Sequence, residues 1–348
     1  MIRRSSPFAA LTAAAGLALV TLQPTATAAA ASTETVRASA FTPGSAGLGD
    51  PYFPHAGNGG YDVGHYDIKL RFDPEERHLT ATTTITATAT ENLSRFNLDY
   101  SGPKIRKVEV NGKGAPYQRK GQELVITPKR GLPSGSTFRV EVSYAGRPKA
   151  IKDKALGLEG WINTEDGAVV VSEPDGARSW FPANDNPRDK ATFSFEVTVP
   201  AALTVLANGE PENSGVVGVR DGYHTMKWEM KQPMATYLAM VAIGKFKVSE
   251  GSAGGVPNIT AYGPSAAEKS KHLHRTTAKV TKWAAGVFGT YPFSSTGGIG
   301  ERLDVEYALE TQGRPVYDGG PGNDLEIVHE LAHQWFGNSV GLRSWKDI

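Results

Sequence analysis

The 348-residue sequence contains no cysteine, which excludes disulfide frameworks, thiol nucleophiles and every cysteine-ligated metal site. Any metal must be held by histidine, aspartate or glutamate. A surplus of charge is missing too: 37 Lys and Arg face 36 Asp and Glu, so the chain lacks the basic excess that binds nucleic acid by counterion release. No Asp-rich loop has the spacing of a calcium site, and no internal repeat is visible. Apolar runs are short. The Ala/Leu-rich one from Phe8 to Leu22 falls below the roughly 20 residues of a relaxed membrane span.

That run has a meaning of its own. It follows the basic head Met1-Ile2-Arg3-Arg4 and leads into small residues through Ala31, the layout of a secretory signal peptide. Cleavage at Ala28-Ala29-Ala30 or Ala29-Ala30-Ala31 would remove residues 1–31 and leave a secreted, extracellular protein without a stable membrane span. Residues 32–60, rich in Ser, Thr, Ala, Gly and Pro and free of periodicity, read as a flexible leader or linker. The length beyond them suits about two domains.

From Tyr61 onward, apolar and polar residues alternate. Tyr66, Ile68, Leu70 and Phe72 share one face of a strand, as do Phe138, Val140, Val142 and Tyr144, and then Phe193, Phe195, Val197 and Val199. Asn111-Gly112 predicts a tight hairpin turn, with Leu124-Val125-Ile126 as the returning strand. Short strands at this spacing predict an antiparallel β domain over 61–248. After Gly251 the period lengthens. Ser265-Ala266-Ala267-Glu268 offers a capping box for a helix with Leu273, Val280, Ala284 and Val287 on its apolar face and Gly289 as its stop. A second helix is signalled by Asn323-Asp324-Leu325-Glu326, with Leu325, Val328, Ala332 and Trp335 as the expected buried stripe and Gly337-Asn338 as the stop.

The second helix carries the chemistry. His329-Glu330-Leu331-Ala332-His333 places two imidazoles one turn apart, so both can reach a single Zn2+ ion. Glu330 points about 100° around the axis, free to take a proton from a water that zinc acidifies to a pKa of about 7. The pattern reads as metal-assisted hydrolysis of an amide or ester. A nucleophile-elbow match at Gly337-Asn338-Ser339-Val340-Gly341 lacks the preceding strand that such a motif requires.

Residues 329–338, His-Glu-Leu-Ala-His-Gln-Trp-Phe-Gly-Asn, resemble the zinc helix of the aminopeptidase N family, zinc metallopeptidases of the gluzincin clan. The resemblance extends to Glu173-Pro174, Ala177-Arg178, Phe181-Pro182, Asp185, Pro187, Lys190-Ala191 and Phe193, to Met234-Ala235-Thr236-Tyr237-Leu238, and to Phe288-Gly289-Thr290-Tyr291-Pro292-Phe293. It implies an α+β multidomain fold. A saddle-shaped β domain would precede the first part of a thermolysin-like catalytic domain over 249–348, with the active site between them. It further implies a zinc aminopeptidase acting on peptides with a free N-terminus, with His329 and His333 as metal ligands and Glu330 as base. Glu310, within Tyr307-Ala308-Leu309-Glu310-Thr311, and Glu173 would hold the substrate amine. Tyr307, Thr311 and Val171 depart from the family pattern, which has Gly, Asn and Gln there. By the family spacing, the third zinc ligand, a glutamate, and the intermediate-stabilising tyrosine fall beyond Ile348, which reads as a C-terminally truncated member. Asp347 is a conceivable substitute ligand. Two other readings stay open: a catalytically silent or peptide-binding remnant, and an endopeptidase sharing the zinc helix.

Overall fold

Alternation of apolar and polar residues builds the first half as expected. In the computed structural model, which describes residues 40–153 and 157–347, an eight-stranded sheet runs in the order Glu210–Arg220, Tyr223–Ala235, Lys190–Pro200, Tyr61–Asp73, His78–Ala89, Thr137–Gly146, Lys104–Val110 and Lys113–Gly114. Its pairings are antiparallel except that of Lys190–Pro200 with Tyr61–Asp73, which is parallel and puts Phe193 beside Tyr66. Those two rings stack at 4.8 Å, and Ile68, Phe72, Phe195 and Val197 continue the same buried face. Each such side chain contributes about 1.5–3 kcal/mol on leaving water. A four-stranded and a five-stranded sheet complete the β-rich half.

Asn111 and Gly112 adopt φ of 51° and 70°, the left-handed pair that a two-residue hairpin needs. The returning strand, however, is the short Lys113–Gly114. Glu123–Ile126, expected in that place, pairs instead with Leu93–Asp99 in the four-stranded sheet.

The second half is not purely helical. Lys247–Ala253, Val256–Tyr262, Thr296–Glu301, Val316–Asp318 and Ala308–Leu309 form a five-stranded sheet. Its central strand, Thr-Gly-Gly-Ile-Gly-Glu, is buried at every residue and so shows no alternation. A Cβ on Gly297 would lie 1.9 Å from the Ile259 carbonyl oxygen, so only glycine permits this approach of neighbouring strands. Helix α1, Ser270–Phe288, packs on the sheet. The expected capping box does not form, because Pro264 opens a 3-10 turn over Pro264–Lys269 and the Ser265 hydroxyl donates to the buried Glu301 carboxylate. Leu273, Val280 and Ala284 are buried as expected, but Val287 is exposed. Among the described residues no helix is long and apolar enough to cross a membrane.

The signal-peptide segment 1–31, residues 32–39 of the leader and Ile348 lie outside the described residues. Residues 40–60 are no free linker. Thr42–Pro43 pairs in parallel with Leu93–Asp99, and Asn58 is wholly buried. Asp50 accepts hydrogen bonds from the amides of Tyr52 and Phe53, and also from the Ser344 hydroxyl at 2.7 Å and the Trp345 amide at 2.8 Å. Burial alone would push this carboxyl up, yet the donors from Phe53, Ser344, Trp345 and Tyr52 together hold it below its ordinary value. The leader lacks periodicity because it is fastened by isolated contacts, the Asp50 hydrogen bonds and the Phe53 ring on Trp345 among them, not by a regular apolar face. Asp50→Ala is expected to lower stability by about 1–3 kcal/mol through the orphaned donors, read as a lower urea midpoint at unchanged m-value; an unshifted midpoint would show that the tie carries no weight.

Candidate metal centre and substrate cavity

Helix α2 spans Asp324–Ala332. The Asn323 side chain caps it by accepting from the amides of Leu325 at 2.8 Å and Glu326 at 3.1 Å, and Asp324 and Glu326 add negative charge to the first turn. The buried stripe is Ile327 and Leu331, packed with Leu273 and Val280 of α1 and with Tyr317. Leu325, expected in that stripe, is 78% exposed, because it lies about 200° around the helix from Ile327. Val328 and Ala332 are half-buried.

The helix also stops before Gly337. His333 is its C-cap, still in helical conformation, and the chain then turns so that the Trp335 indole can donate to the carbonyls of Gly289 and Thr290. Gly337 has a left-handed φ of 134°, and a Cβ there would lie 2.9 Å from His333 Nδ1. A side chain at 337 would thus strike the ring of one expected ligand.

The two imidazoles converge. His329 Nε2 and His333 Nε2 are 3.2 Å apart. Tetrahedral zinc with nitrogen ligands at about 2.0–2.1 Å sets them roughly 3.3 Å apart. His333 Nδ1 lies 3.1 Å from the Phe336 carbonyl oxygen, a partner that can only accept, so Nδ1 carries the proton and Nε2 presents its lone pair. The pair therefore fits zinc in donor type and spacing, and His333 also in tautomer. Among the described residues no third His, Asp or Glu completes a ligand set with them; Asp347 lines the same cavity without doing so.

That cavity, of about 760 Å3, gathers every site residue expected from the sequence: His329, Glu330, His333, Glu310 and Glu173, with Tyr237 and Phe336 among its other walls. Glu330 is buried, and burial, reinforced by the charges of Glu310, Glu326 and Glu173, pushes its carboxyl up to about 8. Burial first, and then Glu310, push Glu173 up to about 8 as well. Acidic groups crowded into a poorly hydrated space, here lined also by Arg343, are a site for positive charge.

Several positioning residues were not singled out from the sequence. Gln334 Nε2 at 3.1 Å and Asn338 Nδ2 at 2.7 Å both donate to the Glu310 main-chain carbonyl. Gln334 Oε1 accepts from the Gly313 amide. Tyr237 donates its hydroxyl to Glu310 Oε1 at 3.2 Å. Lys190 donates to the carbonyls of Asn338 and Ser339. All four lie inside stretches that carry the family resemblance, and that was their only signal. Tyr307, one of the departures, uses its hydroxyl to reach the Leu158 carbonyl in the β-rich half.

Comparison with known proteins places these features in context. The family model described as the Peptidase M1 N-terminal domain matches residues 63–238. An M1 zinc metallopeptidase from Deinococcus radiodurans has a similar crystal structure, with TM-score 0.79 and 33% identity over 86% of this chain and 70% of that one. A mutant of the same protein bound to a Tyr-Ser-Ala substrate aligns with TM-score 0.80 and 31% identity over the same shares. Glutamyl aminopeptidase of Mus musculus is 26% identical over 82% of this chain and 33% of its own length. Leukotriene A-4 hydrolase of Xenopus laevis is 26% identical over 83% of this chain and 49% of its own. The chain thus spans about a third to a half of the length of these curated relatives. Because Gly337 leaves room for the His333 ring, Gly337→Ala is expected to weaken zinc binding by about 10–100-fold, measured by competition with a chromogenic chelator; equal affinity would remove that role from the glycine.

Proposed function

The chain belongs to the M1 family of zinc metallopeptidases, and from that premise we propose that it is a zinc-dependent aminopeptidase hydrolysing the N-terminal peptide bond of peptides. One observation carries the reading: a single cavity brings the converging imidazoles of His329 and His333 together with three glutamates. Zinc, when bound there, supplies Lewis acidity that polarises a peptide carbonyl and acidifies a water.

The remaining work falls to this chain's own side chains. His329 and His333 hold the ion through Nε2. Glu330 accepts the proton of the attacking water and returns it to the departing amine as the C–N bond breaks. Burial suits it to the second step, since a carboxylate of ordinary acidity would be a poor proton donor near neutral pH. Glu310 and Glu173 hold the substrate's ammonium group, for which a partly dry pocket demands charged acceptors. Anchoring the amine at that end fixes the distance from terminus to scissile bond, which is what makes a peptidase an exopeptidase.

One observation favours a second reading, that of a peptide-binding protein without turnover: among the described residues only two ligands face the metal position. A single assay separates the readings. The aminopeptidase releases single amino acids from free peptides and not from amino-acetylated ones. A chelator abolishes the release, and Glu330→Gln lowers it by about 10²-fold or more. Peptide binding with no release, unchanged by added zinc, would favour the binding protein, and cleavage of acetylated peptides would indicate an endopeptidase.

The basic head, uncharged run and Ala-x-Ala sites of residues 1–31 further support export from the cell. The intact mass of the protein recovered from culture medium is expected to lack that segment; a product retained in the cell with Met1 in place would contradict export.

A further inference from the structure

Away from the substrate cavity, the β-rich half buries two carboxylates for which the proposed reaction has no use. Asp99 and Glu123 lie directly opposite each other on the antiparallel strands Leu93–Asp99 and Glu123–Ile126. Their side chains therefore leave the same face of the sheet as close neighbours, a placement that is unfavourable for like charges. Asp99 is wholly buried and Glu123 is 9% exposed. Among the described residues, no lysine, arginine or histidine forms an ion pair with either.

The leader supplies a third group. Asn58 is wholly buried, and its Nδ2 donates to Asp99 Oδ2 at 3.1 Å, beside the main-chain amides of Gly57 at 3.1 Å and Asp185 at 2.9 Å. All three donors meet one oxygen. The other, Asp99 Oδ1, has only a 3.5 Å contact from Gln122 Nε2, which donates at 2.7 Å to the His55 carbonyl. Asn58 Oδ1, on the same planar amide, and both oxygens of Glu123 are buried without any hydrogen-bond partner. Buried acceptors left unmatched are costly, and charged ones more so. These four oxygens share a preference for a hard cation, since no nitrogen or sulfur is among them.

We infer that Asp99, Glu123 and Asn58 form a second metal site, for calcium, that fastens the leader at Asn58 to the four-stranded sheet. A divalent ion balances the two carboxylates, and calcium tolerates an irregular shell completed by water, whereas magnesium demands a near-ideal octahedron and zinc prefers nitrogen or sulfur. Two carboxylates are fewer than a set of three acidic ligands, so the affinity is modest, with Kd on the order of 10⁻⁴ to 10⁻³ M. The ligands come from three separate stretches of chain, so no loop spacing marks the site. The inference does not depend on the aminopeptidase reading.

The test is thermal melting of the full chain, freed of metal on a chelating resin and resupplied with zinc, against rising CaCl2, with NaCl of matched ionic strength as control. The melting midpoint is expected to rise by about 3–8 °C at about 10 mM CaCl2 and not with NaCl. Glu123→Gln keeps the shape and removes one charge. It is expected to melt above the calcium-free parent and to need at least about tenfold more calcium for any shift, a pair of results that a merely structural glutamate would not give. Asn58→Ala, which leaves both carboxylates, is expected to weaken calcium about tenfold, and His333→Ala, at the zinc position, to keep the full shift. A parent that ignores calcium while Glu123→Gln melts higher would show that a shared proton resolves the pair, and would overturn the site. An undiminished shift in Glu123→Gln, or its loss in His333→Ala, would place calcium elsewhere and overturn it as well.

Discussion

The main-chain carbonyl of Glu310 accepts from two side-chain amides, Gln334 and Asn338, and the layout of the cavity depends on that junction. Both donors lie just past the C-terminal end of α2, within five residues of His333, while the acceptor belongs to the segment that carries the expected amine anchor. Gln334 also takes the Gly313 amide, so the same side chain grips the substrate-lining segment at two points. All the groups involved are buried, and a buried amide left without its carbonyl costs about 1–3 kcal/mol. The separation between the paired imidazoles and the Glu310 carboxylate is therefore set by directional bonds. An apolar contact would let it slide.

The chemistry at this junction was more legible in the sequence than the packing around it. The four-residue spacing of histidines needs helical backbone only as far as His333, whose φ and ψ are still helical, which is why His329 and His333 converge although α2 ends earlier than its glycine suggested. The apolar stripe does not survive as well. Leu325 and Val287 continue the apolar pattern by residue type but lie on exposed sides of their helices. The sheet of the second half was illegible for the opposite reason: Thr296–Glu301 is covered on both faces and built largely of glycine, so neither alternation nor β-propensity marks it. The leader went unread because its order comes from Asp50 and Asn58, single polar residues whose partners lie far along the chain. Gln334, Asn338 and Tyr237 were visible as members of recognisable stretches, but position in a motif does not say which carbonyl or carboxylate a side chain meets.

Electrostatics connects the two ends of the cavity. Glu173 and Glu330 come from different halves of the structure, and each is pushed up by burial and by charges in the same space that include Glu310. Folding these carboxylates together is unfavourable in isolation, and most proteins avoid it. Positive charge relieves it, and the proposed reaction would bring two positive charges into this space, the metal and the substrate ammonium. Binding energy from the ammonium is then available to settle charge as well as to hold the substrate, which is how remote contacts contribute to orientation at the reacting bond.

The β-rich half takes part in this directly. Lys190 donates to the carbonyls of Asn338 and Ser339, Arg188 donates to that of Arg343 at 2.6 Å, and Asp50 holds Ser344 and Trp345. Thus the wall of the cavity from residue 338 to 345 is fastened by side chains from the first half, while Trp345 in turn supports the ring of Tyr237. A detached α2 could keep its histidines one turn apart, but it would have neither the fixed wall opposite them nor Glu173. In the proposed reaction the helix with the two histidines would supply the reactive groups, and the sheet domain would determine where a substrate can lie against them.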